Sequence, residues 1–210
     1  MPCHGKHALS RPIHPCQVFA PHEQLAEAMV APTFVTQLNE CLEPRVLPDA
    51  YWQHPLVRGE PTNVVPLALY VDGVPYSNTD SVIGYWVTCL ATGAKFIVAA
   101  FRKRLLCQCG CRGWCSMFTL LHVLAWDLTN IASGVGATHR HAKCVFHDPA
   151  DATLIVNSAS ELNFVAPVVQ IRGDWPATSE IFGMTWSHKR APCILCKMNK
   201  NRCALRQVWT

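Results

Sequence analysis

"VVPLALYVDG", residues 64–73, is an apolar run that ends in Asp-Gly. A short continuous apolar run suits a strand covered on both faces, and Asp-Gly is a turn signal. The stretch therefore predicts a buried strand over 67–71 with Asp72 at its C-terminal end. Downstream, "SVIGYWVTCLATGAKFIVAAF" (81–101) reads as two further strands joined by a tight turn at 91–94. In "CSMFTLLHVLAWDLTNIASG" (115–134), Phe118, Leu121, Leu124, Leu128 and Ile131 recur at helical intervals, and Gly134 stands at the expected stop. "LNFVAPVVQIRGDW" (162–175) adds a fourth strand, Val168 to Ile171, that runs into Gly-Asp-Trp.

Three strands, a helix and a strand imply an α/β fold. The first three strands form an antiparallel meander. The helix then crosses over so that strand four lies parallel to strand one. In that arrangement the C-terminal ends of strands one, three and four share one edge. Asp72 and Asp174 would meet there, within reach of a shared ion. Converging carboxylates suit Mg2+ or Mn2+, hard cations that take oxygen ligands, and an ion pair of this kind can serve phosphoryl transfer. Each aspartate also has a plainer reading, Asp72 in a simple turn and Asp174 as a helix N-cap.

The chain has 210 residues, half of them apolar and 15% charged, so a buried core is feasible and general disorder is disfavoured. Its formal charge of +4 permits a polyanionic partner. Residues 1–60 are rich in Pro and His and read as a loosely ordered segment with a short helix in "HEQLAEAMVAPTFVTQLNECL", limited by Pro32. Residues 61–210 hold the strands. The N-terminal stretch lacks an apolar signal-peptide core, and no run of eighteen apolar residues occurs. Neither secretion nor a membrane partner is expected, and a nuclear or cytoplasmic setting follows.

In a reducing compartment, twelve cysteines point to metal ligands ahead of disulfides. Cys107, Cys109, Cys111 and Cys115 fall within "LLCQCGCRGWC" (105–115), and Cys193 and Cys196 have zinc-knuckle spacing in "PCILC". Thiolates suit a tetrahedral structural Zn2+, in one shared site or in two. Buried idle thiols are the competing reading. Basic residues flank both groups: Arg102, Lys103, Arg104 and Arg112 beside the first, and Lys189, Arg190, Lys197, Lys200 and Arg202 around the second. With Trp114 they suit phosphate contacts and base stacking, which makes DNA the expected partner.

"LALYVDGVPYS", followed by "GDWPATSEIFGM" and "PCILC", resembles the catalytic core of CACTA-type DNA transposases over residues 64–200. The resemblance implies a ribonuclease-H-like fold with a D…D…E metal site. Asp72 matches the first acid, Asp174 the second, and Cys193 with Cys196 the thiol pair. The family's third acid lies well beyond its Cys-x-x-Cys, whereas Glu180 is the last acid of these residues. The resemblance therefore implies a partial ribonuclease-H-like core of mobile-element origin, an inactive fragment of a DNA cut-and-join enzyme that lacks the third ligand. A non-catalytic, zinc-stabilised binding module is the alternative.

Overall fold

In the computed structural model of the protein, the described residues are 13, 15–42, 47, 49–58, 63–111, 113–136 and 162–173. Two helices, α1 (Pro21–Val30) and α2 (Pro32–Leu42), precede two single-turn helices, α3 (Asp49–Trp52) and α4 (Pro55–Arg58). Strands β1 (Leu67–Pro75), β2 (Ser81–Cys89) and β3 (Lys95–Arg102) follow as an antiparallel meander. Helix α5 (Trp114–Ser133) then crosses over, and β4 (Val168–Gly173) pairs parallel to β1. The strand order is β3-β2-β1-β4, the mixed sheet with one parallel pair that the order of elements implied. No helix among the described residues is long and apolar enough to cross a membrane.

Strand β1 is central, and Leu67, Ala68, Leu69 and Val71 are all buried, which explains why both faces of this run are apolar. Leu67, Leu69 and Val71 share one core with Ile83, Tyr85, Val87, Val98 and Phe101. Met117, Leu120, Leu124 and Ile131 of α5 pack on the same side, so the crossover helix covers that face of the sheet. Phe118, expected in this stripe, is 55% exposed. Its neighbour Met117 takes the inward position, and Phe118 instead lies between Trp114 and His122, one turn away on either side.

Two expected boundaries shift. The strand read as stopping at Asp72 continues to Pro75, placing Asp72 within the ladder opposite Gly84. Reversal occurs instead at 76–80, where the Tyr76 and Ser77 N–H groups donate to the Asp80 carbonyl. The helix around Pro32 is two helices. Pro32 cannot donate within a helix interior but fits a first turn, so it starts α2 after the chain bends at Ala31. Both helices belong to the core, which contains Leu25, Phe34 and Leu38.

A register shift in the β1–β4 pairing leaves Val169 between the partners of Leu67 and Ala68. Val168 packs on the main core, whereas Val169 packs on a second cluster formed by Leu47, Tyr51 and Val64. One extra residue thus lets β4 serve both cores. A matching shift near Val98 occurs in β3, the edge strand. There the Phe19 N–H donates to the Val98 carbonyl at 2.8 Å, and the Gln24 amide donates to the Ile97 carbonyl at 2.9 Å.

Helix α1 is fastened to α5 by His22 and Asp127. The His22 ring pairs with Asp127 through Nδ1, and the His22 backbone N–H donates to its other oxygen at 3.2 Å. Asp127 is 2% exposed, so the imidazole and this N–H satisfy a carboxylate far from bulk water. Burial pulls the His22 pKa down, but its hydrogen bond with Asp127 and the nearby negative charges outweigh this and raise it.

Two tests follow from the packing. A raised folded-state pKa makes this pairing fully stabilising below the unfolded value of about 6.5, and the contribution is lost as pH rises through the higher folded value. Urea midpoints should therefore fall as pH rises above about 6.5, and Asp127→Asn should flatten that slope. Separately, the Trp86 ring lies over Gly84 and contacts Tyr70 at 5.7 Å between centroids, so a Cβ at Gly84 would collide with the ring. Gly84→Ala should cost about 1–3 kcal/mol of unfolding free energy by overpacking. A change smaller than a few tenths in denaturant titration counts against that packing.

Candidate metal centre

The end of β3 leads through a 3-10 turn, Lys103–Leu105, into the cysteine segment. Buried Leu106 anchors it against Gly113, where a side chain would meet Leu106 Cδ1 at 2.8 Å. Gly113 has φ +85°, a conformation costly for other residues, and the chain turns there into α5. The segment therefore folds back on the helix N-terminus. The Gly113 N–H donates to the Cys107 carbonyl, and the Trp114 N–H to that of Cys111, both at 3.1 Å. Ser116, fully buried in the first turn of α5, accepts the Cys107 N–H at 2.9 Å.

This folding brings Cys107, Cys109, Cys111 and Cys115 together, with all four sulfurs within 4.8 Å of one another. Cys109 and Cys115 are 3.9 Å apart. A tetrahedral zinc with Zn–S bonds of about 2.3 Å has S···S edges of about 3.8 Å, so the group needs little rearrangement to hold such an ion. The Cys115 N–H donates to the Cys111 sulfur at 3.5 Å, adding the positive end of α5 to a site that must carry thiolate charge.

The thiols already perturb one another. Burial pushes Cys111 up, but hydrogen bonds from the Cys115 N–H and the neighbouring thiols outweigh it and hold its pKa at about 7. Cys115 is pushed up to about 12, first by its hydrogen bond with Cys111 and then by burial. Cys109 is raised too, chiefly by hydrogen bonding with Cys107. Cys111 can ionise while Cys109 and Cys115 keep their protons. Ionising all four requires a cation among them. The donor set therefore fits a soft or borderline metal ion.

The aspartate reading is only partly reached. Asp72 is half-buried, accepting from the Tyr70 hydroxyl at 2.9 Å and from the Gly73 N–H at 2.8 Å. Gly173, which precedes Asp174 in the chain, is the parallel partner of Val71, which precedes Asp72. Asp174, Cys193, Cys196, Arg112, Lys189, Arg190, Lys197, Lys200 and Arg202 lie outside the described residues.

Of the basic run at the end of β3, Arg102 and Arg104 engage an acid that the sequence did not single out. Arg102 Nε meets Asp80 at 3.0 Å and Arg104 Nε at 3.5 Å, while the Arg104 N–H donates to the other Asp80 oxygen at 3.2 Å. The Tyr76 hydroxyl donates to Asp80 at 2.7 Å, and the Arg102 guanidinium lies 5.2 Å from the Tyr76 ring centroid. These bonds, that of Tyr76 foremost, hold the Asp80 carboxyl below its ordinary range. Asp80 thus ties the β1–β2 turn to the 3-10 turn that launches the cysteine segment. Lys103 also has an interaction partner.

The chain matches no family model, no curated protein and no solved structure. Ser116→Ala should strand the buried Cys107 N–H and cost about 1–3 kcal/mol, measurable by denaturant titration. Stability equal to that of the unmutated protein would show that Ser116 does not hold the cysteine segment.

Proposed function

We propose that the protein is a zinc-stabilised DNA-binding module whose sheet derives from a ribonuclease-H-like transposase core. The observation that carries the zinc reading is the convergence of the four thiols within 4.8 Å. Four thiolates favour zinc over Mg2+ or Mn2+. The ion joins the segment after β3 to the first turn of α5, a structural role, since all four positions are taken by protein and none is left for substrate. A reducing nuclear or cytoplasmic setting keeps those thiols available.

DNA as the partner is supported by the basic residues around the two cysteine groups. Arg102 and Arg104, both paired with Asp80, stand at the end of β3 and in the turn that leads into the cysteine segment. A phosphate approaching them competes with one carboxylate, so their contribution is positioning, and the chain's other basic residues supply the remaining charge.

A second reading, a divalent-metal site for DNA cutting and joining, is favoured by one feature. The parallel pairing of Val71 with Gly173 runs β1 and β4 in register toward Asp72 and Asp174. The four converging thiols are the more complete donor set among the described residues, so binding takes precedence over catalysis.

Protein purified under reducing conditions should carry zinc at close to one or more equivalents. Cys109→Ser with Cys111→Ser should lower both zinc content and thermal midpoint. Fluorescence anisotropy should show DNA binding that weakens steeply with salt, with a log–log slope of about −0.9 for each phosphate neutralised. Zinc-free native protein, or no DNA binding at low salt, overturns the corresponding half of the reading. Adding Mg2+ or Mn2+ should produce no strand cleavage. Nicking that Asp72→Ala abolishes would instead establish the second reading.

A further inference from the structure

We propose that Cys109 and Cys115 form an oxidation site, closed into a disulfide by a hydroperoxide, and that closure expels the metal. What closure does to the metal rests on the zinc reading above, and so does the thiolate charge that a bound cation gives Cys109 and Cys115; their placement does not.

Position selects this pair. Their sulfurs are 3.9 Å apart, so the disulfide length of about 2.0 Å requires an approach of roughly 2 Å. Cys109 is the exposed member of the group and meets a dissolved oxidant first. Cys107 is 2% exposed and its backbone is held by Ser116. The Cys111 sulfur accepts the Cys115 N–H and lies 3.7 Å from the Cys107 carbonyl oxygen. Cys115 sits in the first turn of α5, whereas Cys109 precedes Gly110, which has φ +98° and open space where a side chain would stand. The exposed thiol is therefore on the side that can move, and its partner is on the side that stays still.

The chemistry balances with one hydroperoxide. The Cys109 sulfur attacks a peroxide oxygen and the O–O bond breaks. The departing oxygen takes a proton, leaving Cys109 as a sulfenic acid. The Cys115 sulfur then attacks the Cys109 sulfur; an S–S bond forms, the S–O bond breaks, and the hydroxide leaves as water after protonation. Two sulfurs each give up one electron, and the two electrons reduce one O–O bond. Neither disulfide sulfur retains thiolate charge, so Cys107 and Cys111 alone remain as anionic ligands. A tetrahedral ion that loses half its thiolates is released.

The test uses the full chain, reduced, loaded with zinc and titrated with hydrogen peroxide in the presence of a metallochromic dye, followed by peptide mapping. One zinc should appear for each disulfide formed, the disulfide should map to Cys109 and Cys115, and a dithiol reductant should restore zinc uptake. Cys109→Ser and Cys115→Ser should each abolish that linked peptide. A disulfide mapping to any other pair, or oxidation that runs to sulfinic acid without a disulfide, overturns the site. The mapped disulfide with zinc still bound overturns the expulsion. If the protein takes up no zinc but the Cys109–Cys115 disulfide forms, the zinc reading fails while the oxidation site stands.

Discussion

The parallel pairing of β1 with β4 sets the position of nearly everything else. A strand can pair in parallel with an earlier one only if the chain returns to the starting edge of the sheet, and α5 makes that return across one face. Its N-terminus must therefore lie where β3 ends, at the edge toward which β1 and β4 also run. At its other end, the Ala166 N–H donates to the Ile131 carbonyl and the Leu162 N–H to that of Gly134, joining helix to incoming strand. The cysteine segment occupies the short link between β3 and α5. Its chemistry is thus tied to the sheet by connectivity as well as by contact.

The strands and the crossover were legible because burial imposes a pattern. A central strand covered on both sides has to be apolar at successive positions, as Leu67, Ala68 and Leu69 are, and a helix over a sheet has to repeat its inward residues every three or four. Their limits were harder to read. Asp72-Gly73 has turn chemistry, yet ladder pairing continues through it to Pro75, because tertiary pairing outweighs a local preference. Phe118 looked inward on spacing alone, since a stripe of alternating threes and fours admits more than one phase.

At the site, spacing in sequence predicted that the four cysteines could converge, because residues within one short loop have few ways to stay apart. The groups that shape their environment left no such trace. Ser116 matters through one hydrogen bond to Cys107, and Asp80 reaches Arg102 and Arg104 across the sheet edge. His22 and Asp127 are 105 positions apart, and no local pattern announces such a pair. Short polar side chains of this kind read as ordinary turn or helix residues until the fold gives them partners.

The contacts from Phe19 and Gln24 to β3 have a consequence for how the molecule meets others of its kind. The outer side of a sheet's last strand offers unpaired carbonyls and N–H groups to any extended chain, including a second copy. Here the Val98 and Ile97 carbonyls already have donors from the segment before and within α1. The stretch that reads in sequence as a loose leader thus acts as a selvedge, finishing the border of β3 at two neighbouring residues and leaving fewer of its carbonyls open to another chain.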